Sequence, residues 1–69
     1  MDYGELIRSA RERASISQRE LARRMFGDPD RSSGISRLEN GEHRPSLETL
    51  ERIANALDAD LRVEFEFTE

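Results

Sequence analysis

Every cation in this 69-residue sequence is an arginine, eleven in all, with no lysine. A guanidinium fork binds phosphate and guanine edges through paired hydrogen bonds, which suits nucleic-acid recognition; a biased nucleotide composition of the gene would produce the same usage. Six of the eleven, Arg8, Arg11, Arg13, Arg19, Arg23 and Arg24, face only Glu12 and Glu20 over their stretch of chain, a local positive excess. The net charge is still −4, because residues 1–44 carry nine Arg against eight Asp and Glu, and residues 45–69 carry two Arg against seven acids. A polyanion therefore has the first part to bind, and the acidic end is expected to face away from it.

Other chemistry is poorly supplied. Without cysteine there is no thiolate nucleophile, disulfide or zinc thiolate, and a single histidine, His43, cannot build a metal cluster. No glycine-rich phosphate loop is present. The expectation is a protein that is no enzyme and holds neither metal nor cofactor. Apolar runs fall well short of the roughly 20 residues of a membrane span, and no signal-peptide pattern opens the chain, so a cytoplasmic protein with no membrane partner is expected. So short a chain has a marginal core, and oligomerisation is the expected support.

The elements that would position these arginines are legible from punctuation and periodicity. Leu6, Ile7, Ala10 and Ala14 recur at helical spacing over about Tyr3 to Arg13. Ser17 and Glu20 form a capping box, flanked by Ile16 and Leu21 as a staple, which predicts a second helix from Gln18 with Leu21, Ala22, Met25 and Phe26 inward and Gly27 as its end. The third helix has two possible starts, at Asp28-Pro29 or at Asp30, carries Ile35 and Leu38 inward, and ends at Asn40-Gly41. The fourth follows Pro45 with Ser46 as cap, buries Leu47, Leu50, Ile53, Ala54 and Leu57, and stops near Asp58. From Leu61 to Phe67 the period changes to two, so Leu61, Val63, Phe65 and Phe67 share one face of a predicted strand. The expected fold is mostly α, with four to five short helices in a domain over residues 1–58. A tail over 59–69 follows, and its strand must pair with another chain, as an antiparallel ribbon across a dimer, because this chain offers no second one.

Arg11 through Leu57 resembles the helix-turn-helix domain of the phage repressor and Cro family, often called XRE-like. The resemblance rests on Ser17-Gln18, Leu21-Ala22, Gly27, the run Ile35-Ser36-Arg37-Leu38-Glu39-Asn40-Gly41, and Pro45-Ser46-Leu47. Between Ala22 and Ile35 the chain carries about three residues more than the family pattern, assigned to Phe26 and Asp28-Pro29-Asp30. The resemblance implies a lambda-repressor-like fold whose third helix enters the major groove of double-stranded DNA. Base reading then falls to Arg31, Ser32, Ser33, Ser36 and Arg37, and phosphate contact to Gln18, Arg19, Asn40, His43, Arg44 and Ser46. Arg11 and Glu39 match an internal ion pair that ties the first helix to the third. The implied function is a homodimeric transcriptional repressor on a palindromic operator, in a bacterial or phage cytoplasm at the nucleoid. The compact domain followed by an acidic tail is similar to HigA-like and HipB-like antitoxins, which implies autoregulation and a toxin protein as second partner. A restriction-modification controller protein, and a protein-binding module without DNA contact, stand as alternatives.

Overall fold

Asp2 opens the first helix: its carboxylate accepts from the Glu5 amide at 3.0 Å, and α1 runs Tyr3–Arg13. The computed structural model describes residues 2–62 together with Phe65 and Thr68. Ser17 caps α2, Gln18–Phe26, by accepting from the Glu20 amide at 3.0 Å, and Gly27 ends it in a left-handed conformation. Ser46 caps α4, Leu47–Ala56, in the same way through the Thr49 amide at 3.1 Å. Each cap satisfies one of the donors that a helix start leaves without an internal partner.

The two readings of the third helix resolve into a compound element. Asp28 caps a 3₁₀ turn, Pro29–Arg31, by accepting from the Asp30 amide at 2.9 Å, and α3 then runs Ser32–Glu39. Of the residues counted as extra, Phe26 ends α2, while Asp28 caps this turn and Pro29 and Asp30 lie in it, ahead of α3. Asp30 caps nothing and instead pairs with Arg19 of α2 at 3.1 Å.

Three helices end in one hydrogen-bond pattern. Past α1, Ile16 donates to the Arg11 carbonyl and Ser15 to that of Glu12; past α3, Glu42 donates to Arg37 and Gly41 to Leu38; past α4, Ala59 donates to Ala54 and Asp58 to Asn55. The pattern needs a left-handed residue, supplied by Gly41 at φ 80° and, against the usual glycine preference, by Ser15 at φ 59° and Asp58 at φ 54°. Arg24 of α2 donates to the Ala56 carbonyl at 2.9 Å, and Arg52 of α4 to that of Met25 at 3.2 Å. Each of these helices thus satisfies a terminal carbonyl of the other.

Ile7, Leu21, Ala22, Ile35, Ile53 and Leu57 form the buried core, with Ala10, Ala14, Met25, Phe26, Leu38 and Leu50 packed around it. Leu47 does not join it. Expected inward, it is 54% exposed, because in the first turn of α4 it lies beyond the reach of this core; Leu6, beside Ile7 on α1, is 45% exposed.

The expected strand does not form among the described residues. Leu61, Arg62, Phe65 and Thr68 lie outside any regular element, and Phe65 is 87% exposed. Val63 and Phe67, named with them for dimerisation, fall outside the described residues. A lone strand leaves its amides and carbonyls unsatisfied, so one chain by itself gives this segment no ladder to join. Leu61 instead lies half-buried at an apolar cleft with Leu6, Ala10, Leu50, Ile53 and Leu57, between α1 and α4.

Candidate nucleic-acid interface

α3 divides its residues by face. Ile35 and Glu39 are buried and Leu38 half-buried, whereas Ser33, Arg37 and Asn40 are exposed and Ser36 half-exposed. Residues 33, 36, 37 and 40 fall at helical spacing, so they form one polar stripe opposite the side packed on the core. Ser32 is half-buried, and its amide donates to the Pro29 carbonyl, which places it on the flank of that stripe.

Glu39 holds the interface together from beneath. Its buried carboxylate accepts from Arg11 Nε at 2.8 Å and Nη2 at 3.0 Å, from Gln18 Nε2 at 3.2 Å and from Arg8 Nε at 3.4 Å. Arg11 also donates to the Ile16 carbonyl at 2.9 Å, so one guanidinium joins α1, α3 and the link to α2. Burial pushes the Glu39 carboxyl up, but the donors from Arg11 and Gln18, the Arg11 charge and the Arg8 donor outweigh it and hold the group below the usual carboxylate range. The hydrogen bond to Glu39 raises Arg11 against its own desolvation.

The network reaches the stripe. Asn40 Oδ1 accepts from Arg8 Nη2 at 3.3 Å, and Asn40 Nδ2 donates to Ser36 Oγ at 3.4 Å. Arg8 and the Gln18–Glu39 bond had no signal in the sequence beyond Arg8 lying one turn before Arg11. Gln18 and Asn40, expected on phosphate, spend amide groups on this network, and Ser46 spends its hydroxyl on capping α4.

Ion pairing sorts the arginines. Glu20 accepts from Arg23 Nε and Arg24 Nε, both at 2.9 Å, and these two guanidiniums pull its carboxyl down to about 2. Arg19 is paired with Asp30 on the surface, Arg8 and Arg11 with Glu39. The basic excess read in residues 8–24 is therefore largely compensated by carboxylates, three of them, Glu5, Asp30 and Glu39, from beyond that stretch. Among the described residues, Arg13, Arg31, Arg37, Arg44 and Arg52 have no carboxylate at ion-pair distance, and of these Arg31 and Arg37 lie at α3 and Arg44 in the loop after it. Arg31 lies over the Phe26 ring, 4.2 Å from its centroid, and Arg44 over Tyr3 at 5.7 Å. Arg31 and Arg37 share a surface depression with Phe26, Asp30, Ser33 and Gly34. His43 and Arg44 are exposed in the loop between α3 and α4, beside a second depression that includes Tyr3 and Leu38.

A family model described as a helix-turn-helix domain matches residues 2–66. The chain belongs to the helix-turn-helix domain family. No curated protein and no solved structure matches the chain. In a helix-turn-helix unit the second helix lies in the major groove while the first crosses the backbone. Membership supports DNA binding by this chain. Among the described residues of this helix-turn-helix domain, no helix is long and apolar enough to cross a membrane.

Proposed function

We propose that this helix-turn-helix domain is a sequence-specific transcriptional repressor that binds double-stranded DNA as a homodimer on a palindromic operator. The observation that carries the reading is the exposed polar stripe of α3, beside which Arg31 and Arg37, without carboxylate partners among the described residues, line one surface depression with Ser33. Arg37, with Ser33 and Ser36, reads base edges; Arg31 reads at the start of the helix; Arg44, His43 and the amides at the start of α2 hold phosphate. Arg19 joins them by exchanging its exposed partner Asp30 for a phosphate, since surface ion pairs are weak. Repression is by exclusion of polymerase and needs no catalytic group. The tail, paired across the two-fold axis, sets the two α3 helices about 34 Å apart for successive major-groove turns. The acidic end after the helical domain supports the further role of an autoregulating antitoxin whose tail engages a toxin protein.

The test is selection from duplexes with randomised central positions, followed by binding of variants to the selected site. Arg37→Ala is expected to weaken binding by about 1–3 kcal/mol and relax one base position, while Arg44→Ala weakens all sequences alike. Affinity should fall with salt by a log–log slope of about 0.9 per phosphate contacted, despite the negative total charge. Identical base profiles for the Arg37 and Arg44 variants would reject the division between readers and clamps. Affinity unchanged by salt would reject phosphate-dominated binding.

A further inference from the structure

Phe26, the last residue of α2, is half-buried against the core, and two guanidiniums lie over its ring: Arg31 at 4.2 Å and Arg52 at 5.5 Å from the centroid. Arg52 is tied down by its hydrogen bond to the Met25 carbonyl. Arg31 is different. Among the described residues its side chain makes no hydrogen bond and meets no carboxylate, and the ring is its one specific contact.

The backbone beneath Arg31 is fixed from several sides. Asp28 Oδ1 accepts from the Asp30 amide, the Arg31 amide donates to the Asp28 carbonyl at 3.2 Å, and Asp30 is held by Arg19. What stays free is a long side chain with many rotamers. A guanidinium that stacks on an aromatic ring uses its face, and its N–H donors, which lie in its plane at the edge, remain available for a bidentate contact with guanine. A carboxylate partner would use those same edge donors and silence the reader. An aromatic support is thus the kind of contact that can orient an arginine without consuming its recognition groups.

We infer that Phe26 is a positioning residue for base recognition: its ring holds Arg31 by the face, so that the edge of the guanidinium is presented to a base at the start of α3. The inference rests on the DNA-binding reading above. It makes specificity at the position read by Arg31 depend on the electron density of a ring that touches no DNA.

The experiment compares base-preference profiles on randomised duplexes for the full chain, Arg31→Ala, Phe26→Leu, Phe26→Tyr and a protein with pentafluorophenylalanine at 26. The fluorinated ring keeps shape and packing while reversing the charge distribution that attracts a cation. Arg31→Ala is expected to abolish the preference for guanine at one position. Phe26→Leu and the fluorinated protein should lower that same preference about fivefold, with unchanged affinity for non-specific duplex and unchanged preference at the Arg37 position, and Phe26→Tyr should retain it. A preference abolished by Arg31→Ala but intact with the fluorinated ring overturns the inference and leaves the DNA-binding reading standing. A preference insensitive to Arg31→Ala also overturns it. A full chain without any base preference overturns both.

Discussion

Glu39 is the residue on which both stability and the interface turn. Taking a carboxylate out of water is costly unless donors replace the lost hydration, and Arg11, Gln18 and Arg8 do so here. Removing one partner strands the other. Glu39→Ala and Arg11→Ala are each expected to cost about 3 kcal/mol by urea unfolding at neutral pH, with the double variant costing much less than their sum because the two changes delete one network. The pH dependence has a definite sign. The folded carboxyl titrates below its unfolded value of about 4.3, so its contribution is complete above that pH and is lost as pH falls through the folded value. Glu39→Gln should therefore be less stable than the parent at neutral pH and lose less of its stability in acid. Parallel stability curves for the two proteins below pH about 4 would assign the acid dependence to other carboxylates, of which Glu20 is the foremost candidate.

At the scale of elements, the domain depends on one close approach that apolar periodicity does not reveal. Gly4 on α1 is buried against the end of α3, and a Cβ there would lie 2.8 Å from the Leu38 carbonyl oxygen and nearer still to that of Glu39. Backbone atoms cannot rotate aside as a side chain can, so α1 would have to lift off α3 and stretch the Arg11–Glu39 bonds with it. Gly4→Ala is expected to destabilise the domain by about 2 kcal/mol or more, although alanine is the better helix former, with helical circular dichroism kept under native conditions and the urea midpoint lowered. An unchanged midpoint would mean that the two helices separate here without cost. Ser17, Ser46 and the apolar residues Ile7, Leu21, Ile35 and Ile53 were legible in the sequence because each acts within its own helix or at its boundary. Gly4, the part of Arg8 in the Glu39 network and the arginines over the Phe26 ring were not, because these contacts form between elements and leave no trace in local spacing.

For the whole molecule, the open matter is how a small core gains support and how two recognition helices acquire a fixed separation. The proposed pairing of tails addresses both, and the exposed Phe65 together with Leu61 at the α1–α4 cleft supports a role for this segment in contact. A chain ending at Asp60 is expected to sediment as a monomer, retain its helical circular dichroism, and bind a selected palindromic site at least tenfold more weakly, while binding a single half-site as before. A truncated chain that sediments as a dimer and binds the palindrome at full strength would move the interface to the helices, where Leu6 and Leu47 are the exposed apolar residues.

What the sequence determined by itself is whatever is decided within about one helical turn: the caps at Ser17 and Ser46, the exits at Gly27 and Gly41, the inward stripes apart from Leu47, and the family that their combination resembles. Local patterns also allowed two starts for the third helix. The structure took neither as the start of α3, which begins at Ser32 after the Asp28-capped 3₁₀ turn, while Asp30 pairs across space with Arg19. It also decided which arginines are compensated, since an ion pair depends on distance through space, and Arg8 and Arg11 meet Glu39 only because α1 packs across the end of α3. Arg31, Arg37 and Arg44, like Arg13 and Arg52, are left without carboxylates among the described residues, so the charge pattern read along the chain differs from the one presented to a partner. The tail shows the opposite limit: alternation can specify a strand's face, but a strand exists only where a second backbone satisfies its hydrogen bonds, and that partner is not encoded in the segment itself.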